Sequence, residues 1–284
     1  MRKVKYVSFA IAAMLLGMAQ NVKSSEAVGI AGSEVLNGVF SISPTETVRF
    51  SRGNLQYAQS TNTWQFAEHQ YDMIGEANVD GEELANKIDL FGWSGKGAKV
   101  QWGIGTSVNK EDYARSSDEF ADWGLNIGDG KTWRTLTTDE FWYLIGRERN
   151  GKSLCGVAQL LLGAGKSVNG LILLPDDWKA PAGVSFETGT AENDTKEDYR
   201  YVQVISKTTW EKMETAGAVF FPASGERYGT HVSMVQQMGY YWTAVPMLTS
   251  PAYAMMFYFG ASSRVARDRD CLRGCAVRLV KEVE

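Results

Sequence analysis

Cysteine and histidine are scarce in this chain, and their scarcity removes whole classes of chemistry. There are 3 cysteines in 284 residues, Cys155, Cys271 and Cys275. That is too few for a disulfide framework, and the odd count leaves at least one thiol unpaired in a monomer. In extended backbone the Cα atoms of Cys271 and Cys275 would stand roughly 13 Å apart, so a bridge between them requires a tight turn at Gly274. The 2 histidines, His69 and His231, are far apart and lack metal-ligand spacing. No Cys or His pair accompanies Cys271 and Cys275, which disfavours zinc. No Gly-Lys-Ser/Thr ending follows Gly53, Gly92, Gly95 or Gly97, so no phosphate loop is present. The sequence therefore calls for no metal and no cofactor, and it offers no nucleophile with an adjacent base.

Positive charge in excess is also absent. The formal net charge is −4, and it becomes −7 if an N-terminal leader carrying Arg2, Lys3 and Lys5 is removed. A nucleic-acid partner, which requires many phosphate-neutralising cations, is not expected. Beyond residues 7–16 no long apolar run occurs, so the mature chain is expected to lack a transmembrane segment. That early run follows the basic residues and precedes the small-x-small site Gly17-Met18-Ala19, the pattern of a secretory signal over residues 1–19. An exported protein is therefore expected, at the cell surface, in the periplasm or outside the cell. Residues 20–34 read as a disordered leader and 35–284 as a single domain.

What the sequence does contain is aromatic residues, glycine and two helix-start signals. Residues 38–42 and 48–51 alternate as strands, and 54–57 with 63–66 read as a hairpin. Residues 78–86 are polar and acidic, a surface loop. Residues 91–133 hold Trp93, Trp102, Trp123 and Trp133 among glycines and fit few regular elements, so an irregular region pinned by buried rings is expected. Thr137 and Glu140 form a capping-box pattern ahead of an apolar face of Phe141, Leu144 and Ile145. Residues 154–162 suit a short helix or a strand, and 168–174 a buried strand stopped by Pro175. Thr208 to Glu211 repeats the capping-box pattern, with Trp210 and Met213 inward and Gly217 as the terminal cap. A strand at 219–222 and a turn at 224–229 follow.

The C-terminal stretch organises the rest. Residues 239–245, 252–259 and 264–280 read as an antiparallel meander, with a turn at 260–263. Side chains there alternate faces, so about half should meet solvent or a partner. Thr243, Tyr258, Arg264, Arg267, Arg269 and Leu272 are the candidate ligand-binding residues, because Arg and Tyr combine contact area with directional hydrogen bonds. The plainer alternative is that Arg267-Asp268-Arg269-Asp270 is a solvated, self-paired face. Trp242 is assigned to the core. Asp176-Asp177 reads as a turn or helix cap in preference to a calcium site.

Three motifs carry a family resemblance. Trp133-Arg134-Thr135-Leu136-Thr137-Thr138-Asp139-Glu140-Phe141 resembles the W-R-L-P-T-x-x-E-W helix start of the formylglycine-generating-enzyme-like (sulfatase-modifying-factor-like) superfamily. Tyr241-Trp242-Thr243-Ala244 resembles its Y-W-S-S strand, and Gly274 to Val280 resembles its closing G-x-S-V-R-L-V strand. The same motifs occur in secreted paralogous domains such as the Fibrobacter succinogenes major paralogous family. Residues 48–57, 64–70 and 170–178 are similar to stretches of exported proteins of gut Bacteroidetes. The resemblance implies an α+β, C-type-lectin-like fold: two helices, a mixed, mostly antiparallel sheet and long loops. It extends to target proteins of diversity-generating retroelements, which vary positions in this same meander to alter what they bind, and the residues between Ser262 and Arg273 are compatible with that. The family's enzymes need a reactive cysteine pair ahead of the closing strand. Here Cys275 lies inside the closing motif and Cys271 just before it, so catalysis is not expected. The lectin calcium motifs are absent, and Val245 and Met247 beside Pro246 cannot ligate a hard cation. The expected function is non-catalytic binding of a protein or glycan ligand. The alternatives are a formylglycine-generating-type enzyme and a structural subunit of a surface appendage.

Overall fold

Register, more than helix, positions the terminal segment. The computed structural model describes residues 34–116, 118–146, 149, 154–188, 203–244, 253–258 and 264–283, with 253–258 and 264–268 described by their backbone course. The expected leader 1–19, the turn 260–263, the loop 189–198 and Pro246 lie outside the described residues. Gly32–Glu284 is a compact unit.

The architecture is α+β. Strands β1 (Phe40–Ser41) and β2 (Thr47–Phe50) begin the ordered chain, and the hairpin β3 (Leu55–Ala58) and β4 (Thr63–Phe66) falls where alternation placed it. The acidic stretch expected to be a loop instead folds a small hairpin, β5 (Val79–Asp80) with β6 (Glu83–Leu84), and β7 (Lys87–Ile88) follows. Gly81 at φ +67° makes that turn, a conformation glycine adopts without penalty.

Among the described residues between β7 and β8 (Arg134–Thr135) no strand forms, only short 3₁₀ turns. Trp93 and Trp123 are fully buried there. Their indole N–H groups donate to Thr243 O and Trp102 O, each at 3.0 Å, so the rings are anchored as well as packed. Gly103 is needed for close approach, since a Cβ there would fall 1.9 Å from Gly92 O.

Helix α1 (Thr138–Ile145) has both halves of the capping box: Thr137 Oγ1 accepts from Glu140 N, and Glu140 Oε2 accepts from Thr137 N at 2.6 Å. Arg134 adds a two-pronged ion pair to Glu140 at 2.7 and 2.8 Å. Residues 155–163 resolve as strand, β9 (Cys155–Gly163), which pairs with β10 (Lys166–Leu173) across a tight turn. β11 (Gln203–Ser206) leads into α2 (Lys207–Thr215). The cap of α2 is Ser206, not Thr208. Ser206 Oγ accepts from Thr209 N at 3.0 Å, and Glu211 turns to Lys207. Gly217, at φ +95°, lets the chain leave the helix.

β12 (Val219–Pro222), β13 (Glu226–Tyr228), β14 (His231–Ser233), β15 (Met238–Trp242), β16 (Tyr253–Tyr258), β17 (Arg264–Asp268), β18 (Arg273–Gly274) and β19 (Leu279–Glu282) complete the chain. The stretch expected to be only a turn thus contains a strand, β13. The sheets run β1-β2-β19-β8, β11-β9-β10-β12, β14-β13-β18, β15-β16-β17, β4-β3-β7 and β5-β6. The pairings between these strands are antiparallel except β11 with β9, and two isolated bridges, Gly225 with Gly239 and Tyr241 with Ala276, are also parallel. Beneath them lie three apolar clusters: one around Phe50, Phe141 and Phe221, one around Trp93, Trp123 and Trp242, and one around Trp210 and Phe220.

Candidate ligand-binding surface

The meander forms over β15, β16 and β17, all antiparallel, but its expected third segment, 264–280, leaves it after Asp268: β18 pairs with β13, and β19 pairs with β2 and β8 in another sheet. Its register divides the candidate residues. Residues paired across antiparallel strands share a face, and neighbours along a strand alternate. Tyr258 opposes Met238, Met256 opposes Tyr240, and Ala254 opposes both Trp242 and Arg267. Tyr258 and Arg267 therefore share the face of Tyr240 and Trp242. Arg264 opposes Phe257, which opposes Gly239, so it takes the other face with Tyr241. A single patch containing Arg264, Arg267 and Arg269 is thus not what this register builds.

Two further candidates are corrected by burial. Thr243 is fully buried, with its hydroxyl 3.1 Å from that of Thr138 and its carbonyl accepting from Trp93. Leu272 is 3% exposed and packs in the tryptophan cluster. The chain turns inward after β17 to reach the closing strand, which takes both out of reach of an outside ligand.

Arg269 is at the surface, and it belongs to a set that sequence spacing did not show. Its guanidinium stacks over the Tyr240 ring, 4.1 Å from the centroid, and pairs with Glu226 at 2.9 Å. Arg273 pairs with the same carboxylate at 3.4 Å and stacks over Tyr228 at 4.5 Å. Glu226 itself is only 8% exposed. It sits on β13, which pairs with β18 so that Tyr228 opposes Arg273. The result is a ladder, Tyr240–Arg269–Glu226–Arg273–Tyr228, with planar groups fixed by stacking and one buried anion between the cations. Tyr228 is 42% exposed at its end. Asp270, next along, pairs with Lys110, and that contact raises the lysine's pKa. Arg269 and Asp270 thus find partners on other elements, not in each other. Three cations against two carboxylates leave the set positive on an acidic chain.

Beneath the ladder Arg227 is fully buried. It donates to the carbonyls of Gly105, Gly229, Leu90 and Gly103, fixing the 103–110 segment against the β13–β14 turn. Burial lowers its pKa. Val108, exposed, lies close to Gly229 and widens the surface with an apolar contact.

Cys155, Cys271 and Cys275 are buried. Burial raises the pKa of Cys271 and of Cys275, which favours the unreactive thiol. His69 pairs with Asp72 at 3.2 Å and stacks on Tyr71, while His231 is exposed on β14. Asp176 is committed to structure: it accepts from Ser41 N–H and Oγ–H and pairs with buried Arg149 at 2.9 Å. Among the described residues no group of three or more His, Cys, Asp and Glu is arranged to hold a metal ion. Among them also, no helix is long and apolar enough to cross a membrane.

Comparison with protein-family models, curated proteins and solved structures finds no match to this chain.

Sequence reasoning missed Glu226, Tyr228, Arg273 and Lys110 as members of the surface. Arg273 carried the right residue type. Glu226 lay in a stretch read as a turn, and only the β13–β18 pairing brings it to the arginines.

Proposed function

We propose that the chain is an exported, non-catalytic ligand-binding module of the C-type-lectin-like fold, presenting a protein- or glycan-binding surface beside its terminal meander. The observation that carries this is the Tyr240–Arg269–Glu226–Arg273–Tyr228 ladder. Arg and Tyr dominate binding hot spots, and side chains already held by stacking and ion pairing lose little freedom when a partner arrives. The finer fold assignment is supported by two capped helices, the long tryptophan-pinned region and the pairing of β19 with β2. Burial of both C-terminal cysteines speaks for binding over formylglycine-type catalysis. Export rests on the leader pattern of residues 1–19, with the mature protein placed at the cell surface, in the periplasm or outside the cell.

The test is binding of the chain from Gln20 onward to arrayed glycans, mucins and cell-surface proteins, with and without a chelator. An Arg269→Ala/Arg273→Ala variant and Arg267→Ala should lose a specific hit at least tenfold while still unfolding cooperatively, the double variant at a lowered midpoint because Glu226 is left buried without its cations. Arg264→Ala, at the opposite register position, should keep it. A hit that survives all of these variants places the binding site elsewhere, and measurable turnover of any arrayed compound would overturn the non-catalytic reading.

A further inference from the structure

The ladder's two arginines converge on one point, and their pairing there is incomplete. Arg269 Nη2 stands 2.9 Å from Glu226 Oε2 and Arg273 Nη1 stands 3.4 Å from Oε1, so each guanidinium takes one oxygen of a single carboxylate. Oε2 is nonetheless buried without an aligned hydrogen bond, and among the described residues Arg273 donates through Nη1 alone. A guanidinium carries five N–H donors. The pair therefore gathers more donors at one spot than its internal partner can use. Resting on the ligand-binding reading of this surface, we propose that the partner of the ladder is a saccharide whose terminal sugar carries a single carboxylate, seated against Arg269, Arg273 and Tyr228.

Charge gives the first reason. Lys110, Arg269 and Arg273 face the carboxylates of Glu226 and Asp270, which leaves one positive charge over on a chain whose net charge is −4. One surplus cation calls for one anion. A dense polyanion would bring its further charges against Asp270, whose side chain is 48% exposed. A carboxylate matches the planar guanidinium fork, and such charge-assisted pairs are roughly twice as strong as neutral ones.

The sheet face gives the second. Tyr228 opposes His231 on β14 and Arg273 on β18, and Glu226 precedes it by two positions along β13. These four side chains therefore project from one face of the β14-β13-β18 sheet, with Arg227 on the other. His231 is exposed. Tyr228 keeps 42% of its surface open although the Arg273 guanidinium lies 4.5 Å from its ring centroid. An open aromatic ring beside a cation suits a sugar acid, whose C–H face stacks while its carboxylate pairs. His231 and Asp270 supply polar partners for its hydroxyls. An acidic peptide run offers no such ring face and sets its successive carboxylates against Asp270.

The experiment titrates the chain from Gln20 onward with two sugar acids, each beside a neutral counterpart: sialyllactose with its methyl ester, and cellobiouronic acid with cellobiose. The peptide acetyl-Gly-Glu-Gly-Glu-amide is run alongside, and binding is read by calorimetry at low and high salt. At least one acid should bind tenfold or more tighter than its counterpart and weaken as salt rises. Arg273→Gln, which leaves Arg269 on Glu226, should weaken it at least tenfold. Asp270→Asn, at an exposed position, should tighten it about threefold. Both variants should still unfold cooperatively. The proposal is overturned if neither acid outbinds its counterpart, if neither substitution changes the binding, or if the acidic peptide binds in place of the sugars. If neither acid binds and a neutral glycan or protein hit is lost in Arg269→Ala/Arg273→Ala, the ligand class is wrong and the binding surface stands. If no hit of any kind depends on those two residues, both readings fall.

Discussion

Asp89 shows how a single residue can set a pH response. It is fully buried and accepts from Ile74 N–H at 2.9 Å and from the Asn78 amide at 2.8 Å, without an ion pair among the described residues. Desolvation dominates these hydrogen bonds and pushes its pKa up to about 6 from an ordinary 3.8. Between those values the native chain holds a proton that the unfolded chain has released. Stability from this group is therefore greatest in acid, falls as pH rises through about 4 to 6, and is flat above. The size is on the order of 3 kcal/mol. Other carboxylates, such as Glu140, are lowered and act in the opposite direction at lower pH. The difference between wild type and Asp89→Asn isolates the effect. The variant should gain on the wild type by that amount in denaturant unfolding between pH 4 and pH 7. A difference constant with pH would refute the assignment, whatever fixed cost the amide brings.

At the scale of elements, α1 is the best-specified piece. Its capping box, apolar face and ion pair to Arg134 all follow from local spacing. Thr137→Ala should cost about 1 kcal/mol, measured as a lowered midpoint in urea; no change would mean that tertiary packing alone holds the helix start. Strand existence was equally legible where aromatic and apolar residues cluster between turn signals, as in β3–β4 and β15–β16. Where the sequence misled, long-range pairing decided the outcome. The run 154–162 is apolar enough for helix or strand and became β9 because β10 and β11 flank it. Residues 224–229 have the composition of a turn, yet Arg227 and Glu226 are drawn into β13 by partners at Gly105 and Arg273. The binding surface was half legible for the same reason. Residue types along the meander pointed to it, but the parity separating Arg264 from Arg267, and the inward turn that buries Leu272, depend on register and chain path. Thr243 looked like a surface threonine because its partners, Thr138 and Trp93, are remote in sequence.

At the scale of the molecule, β19 lies between β2 and β8, so the last described strand is internal to the sheet that holds the first. Val280 opposes Phe50 on one side and Arg134 on the other, and both Leu279 and Val280 are fully buried. A chain ending at Arg278 should therefore lose cooperative unfolding and near-ultraviolet circular dichroism. Retention of both would show that β2 and β8 close without it.

This closure also imposes an order in time. The partners of β2 come from opposite ends of the described chain, so its sheet cannot be completed until residue 282 has been synthesised. Contacts so distant in sequence make folding slow, and until they form the apolar strands remain uncovered. A nascent chain of this design is thus held open until β19 has left the ribosome. That delay is a liability for aggregation inside a cell, and it is compatible with the export proposed above, in which a polypeptide crosses a membrane unfolded and acquires its shape on the far side.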